Sequence, residues 1–111
     1  MGAVEDFKRH VSAENKLVLV QNVPSGDLDD RSFIEYWEER VNSPFSMYPY
    51  ECPATRVLCK RDDLDGAHVI IIGDSTATCY ITAVHKSFNR SRSTKPFKVK
   101  RRFLVVAPKQ Q

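Results

Sequence analysis

The chain has 111 residues, 41% of them hydrophobic and 28% charged, with a formal net charge of +3. That size and balance fit one globular domain spanning 1–111 and argue against a disordered or fibrous chain. No apolar run is long enough to cross a membrane, and three cysteines make too sparse and odd a set for a disulfide framework.

Residues 1–15 are polar and weakly patterned, which suits a short helix or a frayed terminus. They lack the apolar stretch of a secretory signal. Asp6 also stands where a myristoylation signal wants Ser or Thr. With the unpaired cysteines, this gives an expected intracellular setting, cytoplasmic or nuclear. An N-terminal strand and helix should occupy residues 16–42. Residues 16–21 are apolar and β-branched and end at Pro24-Ser25-Gly26, the pattern of a strand followed by a turn. Asp29 or Asp30 can cap a helix running to about Val41, because its carboxylate can accept from the first turn's free N–H groups. Phe33, Ile34, Trp37 and Val41 give that helix one apolar face, with Trp37 in the core.

Residues 42–53 contain three prolines, with Phe45, Tyr48 and Tyr50 between them. Proline fixes φ and removes a backbone donor, so this is an irregular connection pinned by its aromatics. A short strand is expected over residues 55–59, a turn at Asp62-Asp63 and a strongly apolar strand over 67–72. Residues 73–76 turn the chain and 78–84 return as the partner strand. A helix should follow over 85–92, ending before Lys95-Pro96. Two short strands, or one interrupted strand, are expected over 97–107.

The modest net charge hides a sharp division. All 14 acidic residues lie between Glu5 and Asp74, leaving that part at −6, whereas the chain from Ser75 onward has nine Lys or Arg and no acid. Such a cationic segment attracts phosphate. Its alternative reading is a solvated face that offsets the acidic part.

Three residues stand out for chemistry. Asp65, Gly66, Ala67 and His68 lead into the apolar strand, and Asn89 lies in the basic helical segment beyond the partner strand. An imidazole titrates near neutral pH and can take a proton from water. Carboxylate and amide oxygens are hard ligands suited to Mg²⁺. Structural roles compete with these. His68 can be a satisfied strand histidine, Asp65 a turn residue and Asn89 a helix cap. Cys79 reads as a small core residue.

The order of a β-hairpin, a histidine on its first strand and an asparagine on the following helix resembles the ββα-metal, or His-Me, finger of HNH-type nucleases. The resemblance covers roughly residues 52–92. It implies an α+β fold, a small antiparallel sheet with an amphipathic helix and an HNH-like hairpin-helix core. It also implies His68 as general base, with Asp65 and Asn89 holding Mg²⁺. Asp65 stands three residues before His68, as in the Asp-Arg-Gly-His branch of that superfamily. Lys86, Arg90 and Arg92 would hold flanking phosphates, and Lys98, Lys100, Arg101 and Arg102 would extend the nucleic-acid surface.

The chain departs from the pattern at the second cysteine pair, whose positions hold His85 and Phe88. Cys52 and Cys59, six residues apart, would be the first pair. That leaves Cys52, Cys59 and His85 as a zinc remnant, one ligand short of a tetrahedral site, so structural zinc is not expected. The function implied is nucleic-acid binding of HNH-nuclease ancestry, with metal-dependent phosphodiester cleavage if the site works. The alternative is a non-enzymatic protein-interaction module.

Overall fold

The computed structural model describes residues 15–23, 30–41 and 48–108. The turn at Pro24–Gly26, Asp29, Phe45, Lys109 and the segment before Asn15 lie outside them. The order is β1 (Leu17–Asn22), α1 (Asp30–Arg40), β2 (Tyr50–Glu51), β3 (Leu58–Cys59), β4 (Leu64–Ile71), β5 (Cys79–His85), α2 (Lys86–Arg90), β6 (Phe97–Lys100) and β7 (Val105–Val106). Single 3₁₀ turns occupy Arg61–Asp63 and Arg101–Phe103. The architecture is α+β: a five-stranded antiparallel sheet ordered β6-β1-β4-β5-β7, a two-stranded β2-β3 ladder and few helices. Among the described residues no helix is long and apolar enough to cross a membrane.

The C-terminal strands are two, and they lie at opposite edges of the sheet. β6 pairs with β1, and β7 pairs with β5. Only four residues separate Lys100 from Val105, so the crossing reaches at most about 18 Å. Four inter-strand spacings in a flat sheet would need about 19 Å. The sheet must therefore curl and bring its edges toward one another. Phe103 lies on the crossing, and its carbonyl accepts from Trp37 Nε1 at 2.8 Å.

Side-chain alternation gives β4 two faces. Gly66 and His68 point toward α1. A Cβ on Gly66 would lie 2.6 Å from the Phe33 carbonyl carbon and 2.7 Å from Ile34 N, so only glycine lets the helix backbone approach this closely. Ile34 and Trp37 are fully buried on this side, and Trp37 meets Tyr50 edge-on at 5.5 Å. Asp65, Ala67 and Val69 point to the opposite face, where α2 packs. There Phe88 meets Phe97 edge-on at 5.5 Å. Val20, Ala67, Val69, Val84 and Val99 are buried on this second face.

Three boundaries differ from the expectation. β4 begins at Leu64 rather than residue 67, because its ladder with β5 continues to the Leu64–His85 pair. Asp65 is therefore a strand residue, not a turn residue. The helix after the hairpin is shorter than 85–92. His85 caps it, with Nδ1 accepting from Ser87 N at 3.0 Å, and Arg92 leaves it with φ of 58°. The strand expected over 55–59 shrinks to Leu58–Cys59, since Arg56 takes φ of 65° and donates its N–H to the Cys52 carbonyl in a tight turn.

Candidate functional site

The β4–β5 hairpin runs directly into α2, and this junction brings Asp65 and Asn89 together. Asn89 Nδ2 donates to Asp65 Oδ2 at 3.2 Å, and Arg90 Nε lies 3.4 Å from the same oxygen. Asp65 is 1% exposed while the Arg90 side chain is 62% exposed. The pair thus joins a buried carboxylate to a guanidinium still largely in water. Two donors on one oxygen offset part of the cost of burying that charge. Asp65 Oδ1 is also buried and has no hydrogen-bond partner among the described residues.

His68 is not part of that cluster. It lies on the face toward α1, 8% exposed, with its ring meeting Phe33 edge-on at 4.5 Å. Three residues along a strand is an odd step, so Asp65 and His68 point to opposite sides of the sheet. The structure therefore joins Asp65 to Asn89 and separates both from His68. Among the described residues no three His, Cys, Asp or Glu side chains converge in a way that could hold a metal. The fit to Mg²⁺ is correspondingly poor. Asn89 turns its amide N–H, not its oxygen, toward Asp65, and Mg²⁺ keeps several waters that a buried Oδ1 has little room to admit.

Cys52 and Cys59 do come together. Both are fully buried, and β2–β3 pairing sets Tyr50 opposite Cys59. The Cys59 thiol donates to the Val57 carbonyl at 3.3 Å. Burial, then the neighbouring Cys52, pushes its pKa up. His85 reaches this pair through its backbone, donating N–H to Cys52 Sγ at 3.3 Å. Its imidazole is engaged elsewhere, with Nδ1 against Ser87 N at 3.0 Å and Ser87 Oγ at 2.7 Å. Cys52, Cys59 and His85 are thus neighbours, with the imidazole directed to the helix start rather than to the two thiols.

The basic residues form two groups. Arg90 and Arg92 belong to α2 and its exit, on the Asp65 face. Lys98 and Lys100 share the other face with Leu19 and Leu17, their cross-strand partners. Arg101 and Arg102 follow in the 3₁₀ turn. Lys86 is half-buried, and the other six are exposed. In the acidic part, Arg40, Arg56 and Arg61 pair with Glu39, Glu51 and Glu38. In the basic part, among the described residues, only Arg90 pairs with a carboxylate.

Two residues that shape this region gave no chemical signal in the sequence. Phe33 covers His68, and its signal was only that of a helix-face apolar residue. Gly66 admits α1, and its place beside Asp65 suggested a turn. No protein-family model matches this chain, no curated protein matches it in sequence, and no solved structure matches its fold.

Proposed function

We propose that this chain is a nucleic-acid-binding protein built on an HNH-like finger, and that it binds rather than cuts. The observation carrying this reading is the contrast in ion pairing. Arg40, Arg56 and Arg61 of the acidic part pair with glutamates, whereas, among the described residues, the exposed cations from Arg92 to Arg102 have no carboxylate within ion-pair distance. Unpaired surface cations are the groups that displace counterions from a phosphate backbone. The finger ancestry is supported by the order of hairpin and helix, with His68 on the first strand and Asn89 on the helix. The binding-only reading is supported by the placement of His68 behind Phe33, away from Asp65 and Asn89.

Fluorescence anisotropy with a short duplex and a single strand, across a salt series, tests this. The expected result is binding at low salt that weakens steeply as salt rises, with log K linear in log salt. No binding at low salt would favour the protein-interaction module instead.

One observation favours a second reading, metal-dependent cleavage: Asp65 and Asn89 meet at the hairpin-helix junction. In that reading Asp65 and Asn89 would hold Mg²⁺, and His68, on the opposite face, would serve as base only if β4 rearranged. Nicking of plasmid DNA that requires Mg²⁺ and disappears in His68→Ala, with the fold intact, would establish it.

A further inference from the structure

α1 packs over β4 and β5. Beside it, β1 and β6 continue the same face with a mixed surface. Leu17 pairs with Lys100 and Leu19 with Lys98, so apolar and cationic side chains alternate across the two strands. Leu17 and Leu19 are 56% and 43% exposed. A cavity of about 450 Å³ opens on this surface. Four segments wall it: Leu17 of β1, Lys98 and Lys100 of β6, Arg102 of the 3₁₀ turn, and Glu51 and Arg56 of the β2–β3 hairpin. It thus holds four cations and one carboxylate.

The single carboxylate does little to neutralise the cleft. Glu51 Oε1 accepts from Arg56 Nε at 2.8 Å, but both side chains are well exposed, so this is a surface pair that an arriving anion can outcompete. The other three cations have no carboxylate partner among the described residues. Arg102 lies over the Phe103 ring, with its guanidinium carbon 4.7 Å from the ring centroid. A guanidinium stacked on an aromatic offers its outer face to a second planar group.

We infer that this cleft binds one nucleoside phosphate unit. The phosphate sits among Lys98, Lys100 and Arg102, and the base stacks on the outer face of Arg102 beside Leu17. The volume falls in the range of small-ligand pockets, enough for a nucleotide and too little for a run of strand. The charge favours a phosphate monoester, which carries roughly −1.5 to −2 at neutral pH, over an internal diester with −1. The unit can come from the phosphorylated end of a strand or from a free nucleotide. This inference rests on the nucleic-acid reading and names where a strand end would sit.

The test compares the full chain's affinity for one oligonucleotide with a 5′-phosphate, with a 3′-phosphate, and with neither. The expected result is about tenfold tighter binding of one phosphorylated form, the gain typical of a charge-assisted contact. The double variant Lys100→Ala with Arg102→Ala should abolish that preference, on top of a uniform weakening of all three strands from the loss of two surface cations. Arg90→Ala with Arg92→Ala should weaken all three strands alike and keep the preference. Equal affinity for all three strands in the wild type would overturn the cleft while leaving general binding intact. If no oligonucleotide binds at low salt, the nucleic-acid reading falls, and a nucleoside monophosphate titration followed by amide shifts decides the cleft. Shifts confined to residues 98–103 and 50–56 would sustain it with free nucleotide as the source, and none would remove it.

Discussion

Asp65 and His68, three residues apart on β4, face opposite sides of the sheet, Asp65 against α2 and His68 against Phe33 of α1. The carboxylate and the imidazole therefore belong to different layers. Their closeness in sequence does not place them at one site.

If His68 is a packing residue, its removal should leave any nucleic-acid affinity unchanged. His68→Ala should bind a short duplex within about twofold of wild type and lose about 1–3 kcal/mol of stability, the range for trimming a buried side chain. Anisotropy and urea denaturation on the same preparation measure both. A tenfold loss of affinity with unchanged stability would return His68 to the interface.

Asp65 should tolerate loss of charge better than loss of its oxygen atoms. Asp65→Asn keeps an acceptor for Asn89 and is expected to cost under about 1.5 kcal/mol, whereas Asp65→Ala should cost about 1–3 kcal/mol. The penalty stays below that of a fully buried ion pair because Arg90, 62% exposed, is rehydrated when its partner goes. Urea midpoints of the two variants give the comparison.

Gly66→Ala is expected to be among the most damaging of the small substitutions. The added methyl would lie 2.6–2.8 Å from backbone atoms of Phe33 and Ile34, which cannot swing aside as a side chain can. A loss of about 1–3 kcal/mol follows from overpacking, with amide shifts of α1 residues reporting its displacement. An unchanged melting temperature would mean that α1 does not seat on Gly66.

Trp37→Phe removes the donor to the Phe103 carbonyl and leaves space beside Tyr50. About 2–4 kcal/mol should be lost, combining an unsatisfied carbonyl with a partial cavity. Because Phe103 lies on the crossing from β6 to β7, hydrogen exchange at Val105 and Val106 should quicken more than at β1. Uniform quickening across the sheet would contradict that local role.

Stability should fall on the alkaline side. Burial holds the Cys59 and Cys79 thiols above their ordinary 9.0, with Cys52 and Asp63 adding to the effect at Cys59. Burial likewise raises the Tyr48 and Tyr50 phenols above 10.0, with the Glu38 hydrogen bond adding at Tyr48. Folded pKa values above unfolded ones mean that the unfolded chain loses protons first. Their contribution is fully present below pH 9.0 and is lost as pH rises beyond it. Urea midpoints should be level from neutral pH to about 9 and then decline. A level midpoint through pH 10 would show these groups to be open to solvent.

Much of the chain's secondary structure was legible from local pattern. Alternation and β-branching mark β1, β4 and β5, and the spacing of Ile34 and Trp37 marks α1 with its buried face. The boundary of β4 was not legible, because Leu64 and Asp65 belong to the strand only through pairing with His85 and Val84, twenty residues on. Nor could local pattern separate the two C-terminal strands, whose partners, β1 and β5, are distant in sequence.

The elements and the division of charge follow from the order of residues alone, since periodicity and composition are properties of neighbouring residues. The same order puts Asp65, His68 and Asn89 on one hairpin and its following helix. Which of them meet depends on nonlocal pairing and packing. Side chains alternate with a period of two, so shifting a strand's start can change whether a residue lies in the ladder at all. Pairing with β5 put Asp65 in the ladder and set it toward Asn89. Packing of α1 on Gly66 set Phe33 over His68. The same nonlocal pairing aligned Lys98 and Lys100 with Leu19 and Leu17, and brought Arg56 from the acidic part of the chain to the cleft they line.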